Sequence, residues 1–85
     1  MEIIIEPHTL DRAIDRGANK EEIIDTLTNG TAIEAKKNRK AKTKVFEYNK
    51  ERSGKHYQQK KIEVYYVIEN NKIITVTVYA FYGKF

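Results

Sequence analysis

The sequence predicts an α+β domain, with two N-terminal helices packed on one face of a β-sheet, and three observations carry that expectation. Apolar residues recur at helical spacing only as far as Asn29-Gly30. From Thr31 onward, β-branched and aromatic residues take over in strand-length runs. Helices segregated from strands mark an α+β architecture rather than alternating α/β units. The 85 residues suit a single domain spanning 1–85, since cores divide only beyond roughly 250 residues.

Each element has its own local cause. Ile3, Ile4 and Ile5 form a short apolar run that stops at Pro7, the pattern of a brief first strand or a packed arm. Pro7 opens the first helix, where its missing N–H costs nothing. Residues 8–16 then set Leu10, Ala13 and Ile14 on one stripe before Gly17 caps the helix in the left-handed region. Asn19 and Glu22 make an Asn-x-x-Glu capping pair, so a second helix is expected over Lys20–Asn29, with Ile23, Ile24 and Leu27 inward and Gly30 closing it. Strand-like runs follow at 31–36, 43–48, 61–69 and 72–82, and residues 49–56 read as a polar loop around Ser53-Gly54.

Asn70-Asn71 joins the last two runs as a two-residue hairpin turn, because Asn tolerates positive φ. An unbroken register then opposes Ile68 to Ile73, Tyr66 to Thr75, Val64 to Thr77 and Ile62 to Tyr79 on one side. The other side carries Tyr65, Val67, Ile74, Val76, Val78 and Ala80, and is expected against the helices. That assignment leaves Thr75, Thr77 and Tyr79 open to solvent, but strands Ile62, Val64 and Ile68 there with them.

Composition narrows the function. There is no cysteine, hence no disulfide, thiolate nucleophile or Cys-based zinc site, and two histidines are too few for a metal cluster. No cofactor is expected. No apolar stretch approaches the ~20 residues that cross a bilayer, and residues 1–6 are too short and acid-flanked for a signal peptide, so the expected location is cytoplasmic, with no membrane partner. Charge is unevenly distributed. Residues 36–61 hold eleven Lys or Arg and two acids, a net +9, on a chain whose remainder is −5. Such a segment attracts polyanions through counterion release, although a solvated lysine-rich hairpin protecting strand edges is the plainer alternative.

His8, Arg12 and Arg16 lie four apart and form one helical row beside the apolar stripe. Imidazole titrates near neutral pH and guanidinium pairs with phosphate, whereas a solvated row balanced by Asp11 and Asp15 is the competing reading. Thr75, Thr77 and Tyr79 offer hydroxyls on the last strand, and Phe46, Tyr48 and Tyr57 interleave with lysines as base-stacking groups do in single-stranded RNA binders. There is no Gly-rich phosphate loop, serine elbow or dinucleotide fingerprint, and no acidic pair for two-metal nuclease chemistry. RNA can nevertheless be cut without metal, because its own 2′-hydroxyl is the nucleophile.

The segment His8-x-x-x-Arg12-x-x-x-Arg16-Gly17, with Glu21-Glu22-Ile23-Ile24, Asn29-Gly30 and the closing Ile74-Thr75-Val76-Thr77-Val78-Tyr79, resembles the small RelE-like and BrnT-like toxin domains of the barnase/EndoU/colicin/RelE nuclease architecture. The resemblance implies two N-terminal helices on a four-stranded antiparallel sheet. It also implies metal-independent endoribonuclease activity on mRNA or tRNA, leaving 2′,3′-cyclic phosphate ends. The partner it implies is an acidic antitoxin or immunity protein, and delivery into a neighbouring cell's cytoplasm is a variant of the theme. Carried onto this chain, it makes His8 the candidate general acid or base and Arg12, Lys44, Thr77 and Tyr79 its catalytic companions. Arg16, Lys36, Lys37, Arg39, Lys40, Lys42, Tyr57 and Lys60 are the expected substrate-binding groups. A non-catalytic RNA-binding module, or a protein-interaction domain for an acidic partner, are the alternatives.

Overall fold

The computed structural model describes all 85 residues. In chain order the elements are β1 (Glu2–Ile4), α1 (Pro7–Asp15), α2 (Lys20–Asn29), β2 (Thr31–Ile33), β3 (Lys40–Arg52), β4 (Lys55–Glu69) and β5 (Lys72–Gly83). The sheet has five strands in the order β1-β5-β4-β3-β2. It is mixed, not four-stranded and antiparallel as expected. β1 runs parallel to β5, with Glu2, Ile3 and Ile4 opposite Lys72, Ile73 and Ile74, while the other pairs are antiparallel. A three-residue run becomes a strand because it pairs with the start of β5 and sets Ile3 and Ile5 against the core. No helix is long and apolar enough to cross a membrane.

The helix ends follow their chemistry. Pro7 occupies the first turn of α1, and Gly17, at φ +92°, ends it. Ala18 N–H donates to Ala13 O and Gly17 N–H to Ile14 O, the paired bonds of a Schellman cap. A Cβ at Gly17 would also collide with the Tyr82 hydroxyl. In α2 the Asn19 side chain accepts from Glu22 N–H while the Glu22 carboxylate accepts from Asn19 N–H, completing the capping box.

The strands depart from expectation at both ends of the basic segment. β2 stops at Ile33, and the chain turns through residues 34–39, where Lys37 adopts φ 62°. Residues 49–56, expected as a loop, are mostly strand. Ser53 and Gly54 both have positive φ, 54° and 80°, which is the geometry of a tight hairpin turn and lets β3 and β4 continue to its base. Asn70 and Asn71, at φ 51° and 60°, make the β4–β5 turn as expected.

One extra residue settles the faces of the sheet. Tyr66 opposes Thr75 but Tyr65 opposes Thr77, so Val76 is a bulge. Beyond it Val64 meets Val78 and Ile62 meets Ala80, one step from the unbroken register. The bulge resolves the conflict in the simple alternation, because Ile62, Val64 and Tyr66 now share the helix side with Val78 and Ala80. There they pack with Ala13, Ala18, Ile23 and Leu27 to form the core. Thr77 and Tyr79 are left on the opposite, uncovered side. Past the end of β1, two β5 carbonyls accept from side chains of α1. Thr9 Oγ1 donates to Val76 O and Arg16 Nη1 to Val78 O, at 3.3 and 2.7 Å.

Candidate functional site

The uncovered face of the sheet is built by register. Ala41, Tyr65 and Thr77 form one row across β3, β4 and β5. Thr43, Glu63 and Tyr79 form the next, then Val45, Lys61 and Phe81. At the first of these rows the turn after β2 meets the sheet, and the two enclose a cavity of about 430 Å³. Its lining is Glu34, Ala35, Lys36, Lys37 and Arg39 from the turn, with Tyr65, Thr77 and Tyr79 from the sheet. None of the three cations lies within ion-pair distance of a carboxylate. The cations outnumber the one carboxylate of the lining, Glu34, and hydroxyls of β4 and β5 stand opposite them.

The hydroxyls differ in setting. Tyr65 donates to Glu63 Oε1 at 3.2 Å, and burial pushes its phenol pKa above the ordinary tyrosine value, helped by the neighbouring carboxylate. It stays protonated. The Tyr79 ring stands nearly edge-on to Tyr65, with centroids 5.8 Å apart, and the Arg16 guanidinium lies over it at 5.0 Å. Arg16 reaches that position from the C-terminal end of α1 by crossing the edge of β5, whose Val78 carbonyl it also binds.

Of the residues expected at the site, Lys36, Lys37, Arg39, Thr77 and Tyr79 converge on the cavity, and Arg16 backs Tyr79. The others are elsewhere. His8 and Arg12 are exposed on the outer part of α1, outside the cavity, which takes no residue from either helix. Lys40, Lys42, Lys44 and Lys60 stand opposite Tyr66, Val64, Ile62 and Phe46, hence on the helix side of the sheet. Lys42 Nζ donates to Leu27 O at the end of α2, and Lys44 pairs with Asp25. Hydrogen bonds from Asn29 and then Lys44 hold the Asp25 carboxyl below the ordinary aspartate value, against a small desolvation. Lys60 is buried and donates to Gly17 O and Glu22 at 2.8 and 2.9 Å, so its ammonium is spent on the fold. Tyr57 packs against Tyr82, which also contacts Tyr48. Tyr82 donates to Arg16 O at 2.6 Å, and burial raises its pKa despite the nearby Arg52.

Glu34, Ala35 and Tyr65 were not expected in the site. Tyr65 meets Thr77 only because of the bulge at Val76, which no local pattern announces. Glu34 sits two residues before the basic turn, and that adjacency was the one available signal. No group of three His, Cys, Asp or Glu side chains is gathered as a metal site.

The DUF4258 family, a domain of unknown function, matches residues 5–80, from just before α1 to most of β5. The chain belongs to the DUF4258 family. The match takes in every residue that lines the cavity and stops short of Phe81–Phe85. No curated protein and no solved structure matches the chain. As a DUF4258 domain, the protein offers its function through its own chemistry: a cavity with three free cations, one carboxylate and three hydroxyls.

Proposed function

We propose that the protein is a metal-independent RNA endonuclease that seats the scissile phosphodiester in the cavity between the 34–39 turn and β5. The observation that carries this reading is the convergence of Lys36, Lys37 and Arg39, unpaired, with Thr77 and Tyr79 on a face that no helix covers. Three cations around a phosphodiester offset the charge that grows on its oxygens as a fifth ligand arrives. Glu34 is the cavity's only carboxylate and takes the proton from the ribose 2′-hydroxyl. The 2′-oxygen bonds to phosphorus, the bond to the 5′-oxygen breaks, and the Tyr79 phenol protonates the departing oxygen. Products are a 2′,3′-cyclic phosphate and a 5′-hydroxyl. His8 has no part in this scheme, since α1 packs on the other side of the sheet.

As the toxin of a toxin–antitoxin or immunity pair acting in the cytoplasm, the protein would be silenced by an acidic partner filling the same cavity. Cleavage of a labelled RNA in EDTA tests the proposal. Expected are cyclic-phosphate ends, a loss on the order of a hundredfold for Glu34→Gln, and no change for His8→Ala. A folded wild-type protein that yields no product overturns it. The absence of histidine from the cavity favours a second reading, an RNA-binding module without catalysis, which predicts salt-sensitive binding and intact RNA.

A further inference from the structure

The uncovered face does not end at the cavity. Along β5 the row Thr77, Tyr79, Phe81 leads away from it, each residue two positions from the last and so on the same side of the strand. Tyr79 and Phe81 have centroids 6.4 Å apart, tilted by 37°. Beyond them β5 ends at Gly83, and Phe85 is pinned by its N–H donating to Gln59 Oε1 at 2.7 Å. Lys61 Nζ lies 5.4 Å from the Phe81 ring centre and 4.8 Å from that of Phe85. Tyr79, Phe81 and Phe85 are 41, 43 and 50 % exposed, and Val45 beside them is 40 % exposed. The fold thus leaves a row of half-open rings that no other element of the chain covers, each with a cation set against it, Arg16 at Tyr79 and Lys61 at Phe81 and Phe85, at a cost of unburied apolar area.

Its occupant can be argued from charge and shape. Of the acids on this face, Glu63 accepts from the Tyr65 hydroxyl and pairs with Lys61 at 4.0 Å, and Glu47, in the row beyond, accepts from Gln59 Nε2. Lys61 is thus balanced by Glu63, and the excess charge of the face is positive at the head of the row, where three cations meet the single carboxylate of Glu34. A second copy of the chain would bring like charges together, which disfavours self-association. A base-paired duplex offers base edges and not ring faces to such a surface. An unpaired strand offers both a phosphate for the cavity and flat bases for the rings.

We propose that Phe81 and Phe85, with Lys61 between them, form a base-stacking platform that holds the nucleotides flanking the cavity-bound phosphate, so that the ligand class is single-stranded RNA. The proposal rests on RNA binding at the cavity but not on cleavage there. Tyr79 and Phe81 take one base between cavity and tail, and Phe85 takes the next.

Two probes separate stacking from charge: a 2′-O-methyl uridine decamer, which lacks the nucleophile and cannot be cut, and an abasic chain of the same length. Fluorescence anisotropy at fixed salt reads both. Expected is tighter binding of the decamer than of the abasic chain. Phe81→Ala weakens the decamer about tenfold, one base's worth of stacking, while leaving the abasic chain unchanged, and Phe81→Tyr restores it. Phe85→Ala, at a half-exposed residue outside the core, acts in the same direction without threatening the fold. Arg39→Ala weakens both probes by the same factor. Unchanged decamer affinity in both alanine variants, equal losses on both probes, a duplex that binds as tightly, or a dimer that dissociates on Phe81→Ala with RNA affinity intact would each overturn the platform. A wild-type protein that binds neither probe refutes RNA binding itself. Binding without cleavage of unmodified RNA refutes only the endonuclease.

Discussion

Lys60 is the one charged residue that the fold buries, and it shows how far a basic side chain can be from serving a ligand. Its ammonium bridges the α1–α2 connection at Gly17 O and the first turn of α2 at Glu22, with the Tyr48 ring 5.5 Å away. Removing one partner of a buried pair leaves the other desolvated and unmatched. Because the Glu22 side chain keeps 17 % of its exposure, Lys60→Met should cost about 2–3 kcal/mol, below the full range for a sealed pair. For a domain of this size that lowers Tm by on the order of 10 °C. Lys37→Met, at an exposed turn, should stay within about 0.5 kcal/mol, and urea unfolding of the two variants makes the comparison. Equal effects would show that Lys60 is not the staple its contacts describe. Residue identity told where the cations are in the chain, but not which of them already have partners. That information sits in Glu22, Asp25 and the end of α2, each far away in sequence.

At the scale of elements, helices were readable and strand faces were not. Capping at Asn19–Glu22 and termination at Gly17 are local chemistry, settled within a turn or two of chain, so the helix bounds came through. The face of β5 depends on Val76, one spare residue that shifts everything after it to the other side of the pleat. The apolar conflict around Ile62 and Val64 was the visible trace of that shift, although alternation alone offers no reason to break at Val76 instead of a neighbour. The assignment has a mutational consequence. Deleting Val76 joins Thr75 to Thr77 opposite Tyr66 and Tyr65, which keeps both halves of the β4–β5 ladder in register. The loss is the carbonyl that accepts the Thr9 hydroxyl, about 1 kcal/mol. Deleting Val64 from β4, which has no spare residue opposite it, turns half of the core outward and should abolish folding. Circular dichroism and urea titration distinguish a folded, slightly weakened variant from an unfolded one, and failure of the Val76 deletion to fold would contradict the bulge.

For the whole molecule, two features depend on contacts too distant for a local pattern to carry. One is β1, whose three residues find their parallel partner about 70 positions later. The other is the division of the basic segment, which reads as a single stripe in sequence and is three separate groups in space. Lys42, Lys44 and Lys60 serve the helices, with Lys40 on the same side of the sheet, and Lys36, Lys37 and Arg39 ring the cavity, with Lys61 further along that face. Lys50, Arg52 and Lys55 lie near the tip of the β3–β4 hairpin, in a molecule measuring 43 × 23 × 21 Å. Salt dependence tells the two pictures apart. For single strands, log K falls with log salt at about −0.7 per neutralised phosphate, so eleven cations acting together would give a slope near −8. The three cavity cations give about −2, or about −3 with Lys61 added. A slope between about −2 and −3 is therefore expected for the 2′-O-methyl uridine decamer, and Arg39→Ala should flatten it by about 0.7. Lys42→Met should leave the slope unchanged, because that ammonium is held by Leu27 O on the other side of the sheet. A slope near −8, or flattening by Lys42→Met, would mean that RNA wraps the whole segment and that the cavity is only one contact among many.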